Sequence, residues 1–206
     1  MKFLTQIVFI CIVTMHFQGF SQEKIFNGDP DITFETARKL AFDGNRKQAQ
    51  DSLRMLLNKY PNYHDIRSFL GSTYAWDGNY EGARKEFKYV LQKDSDRQTT
   101  WVAAINNELW AEAPFSALKM AKEALTYFPN DEELLLLKAR AEANSQNPKE
   151  ALITIDALLA SNPNNQKAIE YKESLTQELR FNSIGINYNI DLYSEVFDPM
   201  LSLIHI

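Results

Sequence analysis

Few residues in this sequence are of types and spacings that could carry out catalysis. No nucleophile–base pair, zinc-ligand spacing or glycine-rich phosphate loop is present. The three histidines are His16, His64 and His205, and His64 stands alone at a predicted helix start, where a histidine more often caps or faces solvent than acts as a base. The pair Glu132-Glu133 opens another predicted helix, where carboxylates favour the positive end of the helix dipole. The sequence therefore predicts no enzyme, no cofactor and no metal site.

Binding chemistry is better represented, because aromatic, polar and small residues recur at a fixed interval. Alanine returns every 34 residues at Ala49, Ala83, Ala117 and Ala151, and leucine does so at Leu57, Leu91, Leu125 and Leu159. Between residues 64 and 97 one further set completes the pattern, namely Leu70, Gly71, Tyr74, Ala83 and Phe87. A 34-residue period with these residues is the signature of a helix–turn–helix repeat.

In this register, residues 30 to 165 resemble tetratricopeptide repeats. The resemblance implies an all-α solenoid of four repeats, 31–63, 64–97, 98–131 and 132–165, after a polar lead-in over 22–30. A helix over 166–181 has the polar outer side that a terminal cap of a solenoid needs. The repeats thus predict one tetratricopeptide-repeat α-solenoid with a capping helix and a short C-terminal β-strand.

The resemblance also implies a binding groove lined by the first helix of each repeat, here called the A helix. Eight positions of this chain correspond to groove positions of the family: Arg38, Phe42, Ser72, Trp76, Asn106, Trp110, Arg140 and Asn144. Aromatic faces can stack on sugar rings or grip apolar side chains, and arginine can bind a carboxylate through two hydrogen bonds. The alternative is that the aromatic residues pack between neighbouring A helices as core.

Local signals place the turns and the tight packing of the repeats. Glycine in Asp43-Gly44-Asn45 and in Asp77-Gly78-Asn79 can take the positive φ that ends a helix, and the following asparagine can cap the next helix. Pro114 and Pro148 are expected at the first position of the second, or B, helix. Small residues such as Gly71 allow the two helices to approach closely. The last two repeats depart from the pattern and are expected to have looser geometry; the departures are Ile105, Glu108, Lys138 and Glu142.

The two ends of the sequence carry signals of another kind. Lys2, the apolar run 3–17 and the small residues Gly19 and Ser21 predict a cleaved signal peptide over 1–21, the alternative being an uncleaved membrane anchor. The only cysteine, Cys11, lies within it. Residues 201–206 (LSLIHI) resemble the translation of a transposase mosaic-end adapter used for sequencing libraries, the alternative being a coincidental apolar tail. The adapter interpretation predicts that the natural reading frame continues past Met200.

Residues 183–193 change from a helical period to strict alternation. The apolar members, predicted to face lipid in a transmembrane strand, are Ile184, Ile186, Tyr188, Ile190 and Leu192. The alternative is an edge strand or a disordered tail. Together with the signal peptide and the repeats, residues 182–200 resemble the start of the barrel in YaiO-type outer-membrane proteins. That resemblance covers the repeats and the first strand alone.

These features predict a non-enzymatic, protein-binding solenoid that faces the periplasm and precedes an outer-membrane β-barrel. One alternative is a polysaccharide-export component whose repeats bind the polymer or its modifying enzyme, and another is a soluble periplasmic adaptor. The net charge of -5 and the absence of a basic cluster argue against nucleic-acid binding.

Overall fold

The computed structural model describes residues 27–181, and all regular secondary structure in that range is helical. The predicted all-α class is confirmed for these residues. The predicted signal peptide, strand and adapter-like end, over 1–21, 182–200 and 201–206, lie outside them. The chain divides into two compact units between Val90 and Leu91. Unit 1 here means residues 27–90 and unit 2 means residues 91–181.

Unit 1 is built from helical hairpins, each an A helix followed by a B helix. The first hairpin is α1 (Pro30–Phe42) and α2 (Arg46–Lys59), and the second is α3 (His64–Trp76) and α4 (Tyr80–Lys93), which crosses the unit boundary. The third helix contacts both helices of the first hairpin. Apolar residues recur at spacings of three and four, so each helix presents one buried face. The resulting core contains Ala37, Leu53, Leu56, Leu57, Ile66 and Leu70.

Unit 2 continues the same alternation of A and B helices. Its helices are α5 (Gln98–Trp110), α6 (Pro114–Tyr127), α7 (Glu132–Asn144), α8 (Pro148–Ser161) and α9 (Gln166–Phe181). The central helix, α7, contacts α5, α6 and α8, and α8 also contacts α9. One core cluster joins α5, α6 and α7, and a second joins α7, α8 and α9.

Helix contact within each hairpin depends on a small residue facing a large one. Gly71 on α3 faces Phe87 on α4, and a Cβ atom on this glycine would lie 2.8 Å from Cε1 of the phenylalanine ring. In the next hairpin the sizes are reversed, with Ile105 on α5 and Ala121 on α6. Both side chains are fully buried in the same core cluster. The burial of Ile105 gives no sign of the looser packing predicted for this repeat.

The A–B turns share one backbone conformation. The second turn residue has a positive φ at Gly44 (87°), Gly78 (75°), Glu112 (53°) and Gln146 (63°). The N–H of the following residue donates to a carbonyl in the last turn of the A helix, for example from Asn45 to Leu40 over 2.8 Å. A left-handed residue that ends a helix in this way is ordinarily glycine. Unit 1 uses glycine at this position, whereas unit 2 uses longer side chains.

The predicted helix starts are correct, but one of the two predicted asparagine caps is absent. Pro114 and Pro148 begin α6 and α8, as expected for a residue without an N–H. The Asn79 side chain accepts a hydrogen bond from the N–H of Gly82 over 3.0 Å. Asn45 makes no such bond, so its predicted capping role is wrong. Its own backbone φ of -83° and ψ of 46° lie outside the extended region typical of a capping residue.

Candidate functional site

Four aromatic rings of α1 and α3 form a cluster on unit 1, here called the aromatic patch. It consists of Phe34, Phe42, Phe69 and Trp76. The Phe69 ring lies at its centre, with ring centroids 5.8 Å from Phe34, 6.0 Å from Phe42 and 5.8 Å from Trp76. Phe42 and Trp76 are 5.7 Å apart. These are distances at which tilted and edge-to-face ring pairs attract each other.

Arg38 adds a positive charge to the aromatic patch. Its guanidinium carbon lies 5.8 Å from the Phe34 centroid and 5.9 Å from the Phe69 centroid, within the range of a cation–π contact. Its Nη1 also donates to the Glu35 carboxylate over 3.0 Å. Both partners of that ion pair are largely exposed, so water screens the pair. The guanidinium is therefore held over the rings and still meets solvent.

The aromatic patch is partly packing and partly open surface. Phe42 is 67% exposed and Trp76 is 37% exposed, although both contact Phe69. The rings thus contact one another between α1 and α3, and Phe42 and Trp76 keep part of their surface in solvent. Ser72 lies on the same helix as Trp76, half-buried, and its hydroxyl donates to the Ser68 carbonyl over 3.2 Å.

The predicted groove residues of unit 2 lie in a different setting. Asn106 and Arg140 line an open cleft of about 470 Å³ together with Glu132, Glu133 and Lys167 among others. The Asn106 amide donates to its own helix, at the Val102 carbonyl, over 3.0 Å. The cleft is mixed in charge and holds acidic and basic groups side by side. It has no counterpart of the aromatic patch.

Arg140 is held by a contact with α9, and the Glu132 carboxylate is held by the loop before α9. The Arg140 guanidinium carbon lies 5.6 Å from the Tyr171 ring centroid. Burial raises the pKa of Tyr171, and the neighbouring Arg140 charge opposes that rise. Glu132 accepts hydrogen bonds from the side-chain amides of Asn162, over 2.9 Å, and Asn165, over 2.6 Å. Because this carboxylate already holds the loop, it is less available to a ligand.

Each unit brings some of the eight predicted residues together. Arg38, Phe42 and Trp76 come together in unit 1, and Asn106 and Arg140 share a cleft in unit 2. Trp110 is 48% exposed at the end of α5, and Asn144 lines a separate cleft at the A–B turns.

Two rings of the patch were missed by the sequence prediction. Phe34 had a usable signal, since it precedes Arg38 by four residues on the same helix face. Phe69 had none, because it falls outside the groove positions of the family. Its central place in the patch depends on how α1 and α3 pack.

Across residues 27–181, no three side chains of His, Cys, Asp or Glu are grouped so as to hold a metal ion. A hydrogen bond to Asp31 raises the pKa of Tyr63 on the surface of unit 1, and a hydrogen bond to Asp51 raises that of Arg54. These shifts belong to surface contacts between neighbouring helices or turns. Nor does any helix of the described part have both the length and the apolar character for a membrane crossing.

The helical hairpins and their surfaces define a protein of the tetratricopeptide-repeat class. Two family models, each described as a tetratricopeptide repeat, match residues 18–63 and 111–173. The chain therefore contains tetratricopeptide repeats, which generally serve protein–protein interaction, and its fold is the all-α solenoid fold of that class.

Solved structures with a similar fold include two bacterial proteins. A tetratricopeptide repeat protein from Parabacteroides merdae is 18% identical with a TM-score of 0.64, over 74% of this chain and 60% of that one. Residues from 41 to the end of MamA from Desulfovibrio magneticus RS-1 are 15% identical with a TM-score of 0.63, over 74% of this chain and 87% of that one. At such identities the likeness shows the fold alone. No curated protein matches the chain by sequence.

Proposed function

We propose that this chain is a non-enzymatic, protein-binding repeat module whose aromatic patch holds an apolar segment of the partner. The exposure of Phe42 and Trp76 carries this proposal, because large rings that remain in water gain from being covered. Burial of apolar surface is worth about 25 cal/mol per Å². An exposed group of several large side chains is typical of a binding surface.

Arg38 gives the aromatic patch a second recognition element. Its guanidinium lies over Phe34 and Phe69 and forms an ion pair with the exposed Glu35. A carboxylate of the partner can replace Glu35 and bind through two parallel hydrogen bonds. The partner segment is therefore apolar or aromatic with an acidic residue beside it.

We further infer that the module is exported and faces the periplasm as the arm of an outer-membrane β-barrel protein. The support for this is in the sequence. Residues 1–21 have the pattern of a signal peptide, and residues 183–193 alternate as a barrel strand does. Cell fractionation of a strain that expresses the complete gene tests this location. Recovery in the soluble periplasmic fraction would favour the adaptor without a barrel.

Peptide selection tests the binding function directly. The chain is used to select peptides from a random phage-displayed library, and their affinity is measured by fluorescence anisotropy. We expect the selected peptides to be rich in apolar residues. We expect Phe42→Ser to lower the affinity for these peptides about tenfold, since two or more ring contacts are lost. The matched control is Ile32→Ser, which removes an equally exposed apolar side chain (67%) from the same helix. Equal affinities for the two variants would refute a role for the patch.

Trp76→Ala separates binding from packing at the same surface. If the ring serves the partner, this variant loses peptide affinity while its helicity and melting midpoint stay near those of the parent chain. A large loss of stability instead would assign Trp76 to packing and would contradict the proposed role.

Polysaccharide binding is the second candidate, and the free faces of Phe42 and Trp76 are the observation that favours it. Pyranose rings stack on aromatic faces, so oligosaccharides of an exported polymer would change tryptophan fluorescence through Trp76. Saturable binding of an oligosaccharide that disappears in Trp76→Ala, with no peptide selected, would replace the protein-binding proposal with this one.

A further inference from the structure

A separate cleft of unit 2 lies between its two A–B turns. It has a volume of about 660 Å³ and is lined by residues 112–116 of one turn and residues 144–146 of the next. The cleft shares no residue with the aromatic patch or with the cleft around Arg140. The function proposed for the patch does not involve it.

Two residues of unit 2 other than glycine have a left-handed backbone conformation, and both line this cleft. They are Glu112 and Gln146, with φ of 53° and 63°. Unit 1 has Gly44 and Gly78 at the equivalent positions. For a residue with a Cβ atom, the left-handed conformation costs about 1–2 kcal/mol. Glu112 and Gln146 thus place side chains at this cleft, although their backbone conformation favours glycine.

The groups that line the cleft are complementary to a cation. Glu112 is the single charged residue within the two ranges, and it has no ion-pair partner among residues 27–181. Phe115 exposes 72% of its surface beside it. The Ser145 hydroxyl is buried at the cleft and has no hydrogen-bond partner in the described part of the chain. A carboxylate and an exposed aromatic ring therefore line the same cleft, and no positively charged residue is among the residues that line it.

We propose that this cleft binds an arginine side chain of a partner protein. A planar guanidinium can stack on the Phe115 ring while it donates two N–H groups to the Glu112 carboxylate. The side-chain carbonyl of Asn144, which also lines the cleft, can accept from a remaining N–H group. Unit 2 contains 14 acidic and 10 basic residues, so its net negative charge also favours a cation.

An NMR titration of the ¹⁵N-labelled chain tests the proposal. The probes are the capped tripeptide acetyl-Gly-Arg-Gly-amide and its neutral match, acetyl-Gly-Gln-Gly-amide. We expect the arginine peptide to shift the backbone amide signals of residues 112–116 and 144–146 and to bind about tenfold more tightly than the glutamine peptide. Equal shifts from both peptides, or no shift from the arginine peptide, would overturn the proposal.

Two variants and two controls assign the binding to the named groups. Glu112→Gln and Phe115→Ala should each weaken the arginine peptide about fivefold or more, since each removes one of the two main contacts. Glu150→Gln removes a carboxylate from the first turn of α8, outside the cleft, and should leave the affinity unchanged. Phe42→Ser in the aromatic patch should also leave the affinity for the arginine peptide unchanged. An undiminished affinity in Glu112→Gln, or an equal loss in Glu150→Gln, would show that no specific arginine site exists.

Discussion

One hairpin of unit 1 and one hairpin of unit 2 distribute residue size between their two helices in opposite ways. In unit 1 the A helix of the second hairpin carries Gly71 and the B helix carries Phe87. In unit 2 the equivalent positions are Ile105 and Ala121, 34 residues further on. The difference shows that the repeat preserves the combined volume of the pair rather than the residue at either position, because a close-packed interior tolerates neither a void nor an overlap.

The units also differ at their turns and on their A-helix surfaces. Unit 1 has glycine in the left-handed turn position and aromatic rings on its A helices. Unit 2 has Glu112 and Gln146 in that turn position, and it has Asn106 and Arg140 at the groove positions of its A helices. Unit 1 therefore presents a cluster of aromatic rings and has glycine turns. Unit 2 has side chains at its left-handed turn positions, clefts that mix charged and apolar residues, and the exposed ring of Trp110.

Exchanging the large and small residues of unit 2 tests the volume argument and has the largest expected effect. Ile105→Gly should lower the free energy of unfolding by about 4 kcal/mol, from a cavity and the poor helix propensity of glycine. Ala121→Phe should lower it by about 1–3 kcal/mol through overpacking. The double variant recreates the Gly71 and Phe87 arrangement and should recover about 2 kcal/mol of the summed loss. Urea unfolding followed by circular dichroism measures all three.

A displaced phenylalanine is the control for that exchange. Ala124 is fully buried on the same helix as Ala121, three residues away. Ile105→Gly combined with Ala124→Phe should recover less stability than the Ala121 double variant, since the ring would enter the core nearly one helical turn further along α6. Strictly additive losses in the Ala121 double variant would contradict the compensation.

Gly71→Ala tests the tight contact in unit 1. The new Cβ would lie 2.8 Å from the Phe87 ring, which is fully buried and has little room to move. We expect a net loss of about 1–2 kcal/mol from overpacking, although alanine favours the helix. Thermal unfolding measures the loss. In a Phe87→Leu background the same substitution should cost less, and an equal cost in both backgrounds would point away from this contact.

The turn residues should respond in opposite directions in the two units. Glu112→Gly and Gln146→Gly relieve a left-handed side chain and should each raise the free energy of unfolding by about 0.5–1 kcal/mol. Gly44→Ala and Gly78→Ala should lower it by about 1 kcal/mol. Chemical denaturation measures the four changes. Glu112→Gly should also weaken the arginine peptide about fivefold or more, as Glu112→Gln does, so a variant that gains stability and keeps the parent affinity would contradict the proposed site.

The smallest expected effect is a loss of stability at high pH from Tyr171 in unit 2. Burial raises its pKa above that of the unfolded chain. The stability from its protonated form is therefore complete below the unfolded pKa of about 10 and is lost as the pH rises through the folded pKa. Melting midpoints measured across that range should fall less in Tyr171→Phe than in the parent. Tyr127→Phe is the matched control in the same unit, because the Tyr127 side chain is 48% exposed.

The sequence allowed the helices and much of their chemistry to be predicted, because the signals are local. A residue such as Pro114 fixes a helix start by its own geometry, and Gly44 marks a turn by its freedom to take a positive φ. The positions of Phe42 and Trp76 on the A helices followed from the repeat. Asn45 was predicted to cap a helix and does not, because the capping bond depends on a backbone angle that its residue type does not set.

By itself the sequence determined the helical repeat, its period and the alternation of A and B helices, since propensity and hydrophobic spacing act within a few turns of chain. Only the tertiary structure decided that Ala121 makes room for Ile105, that Phe69 joins Phe34 to Trp76, and that Glu112 and Gln146 line one cleft. Each of these depends on the distance between helices or turns that are far apart in the chain, and that distance is set by packing.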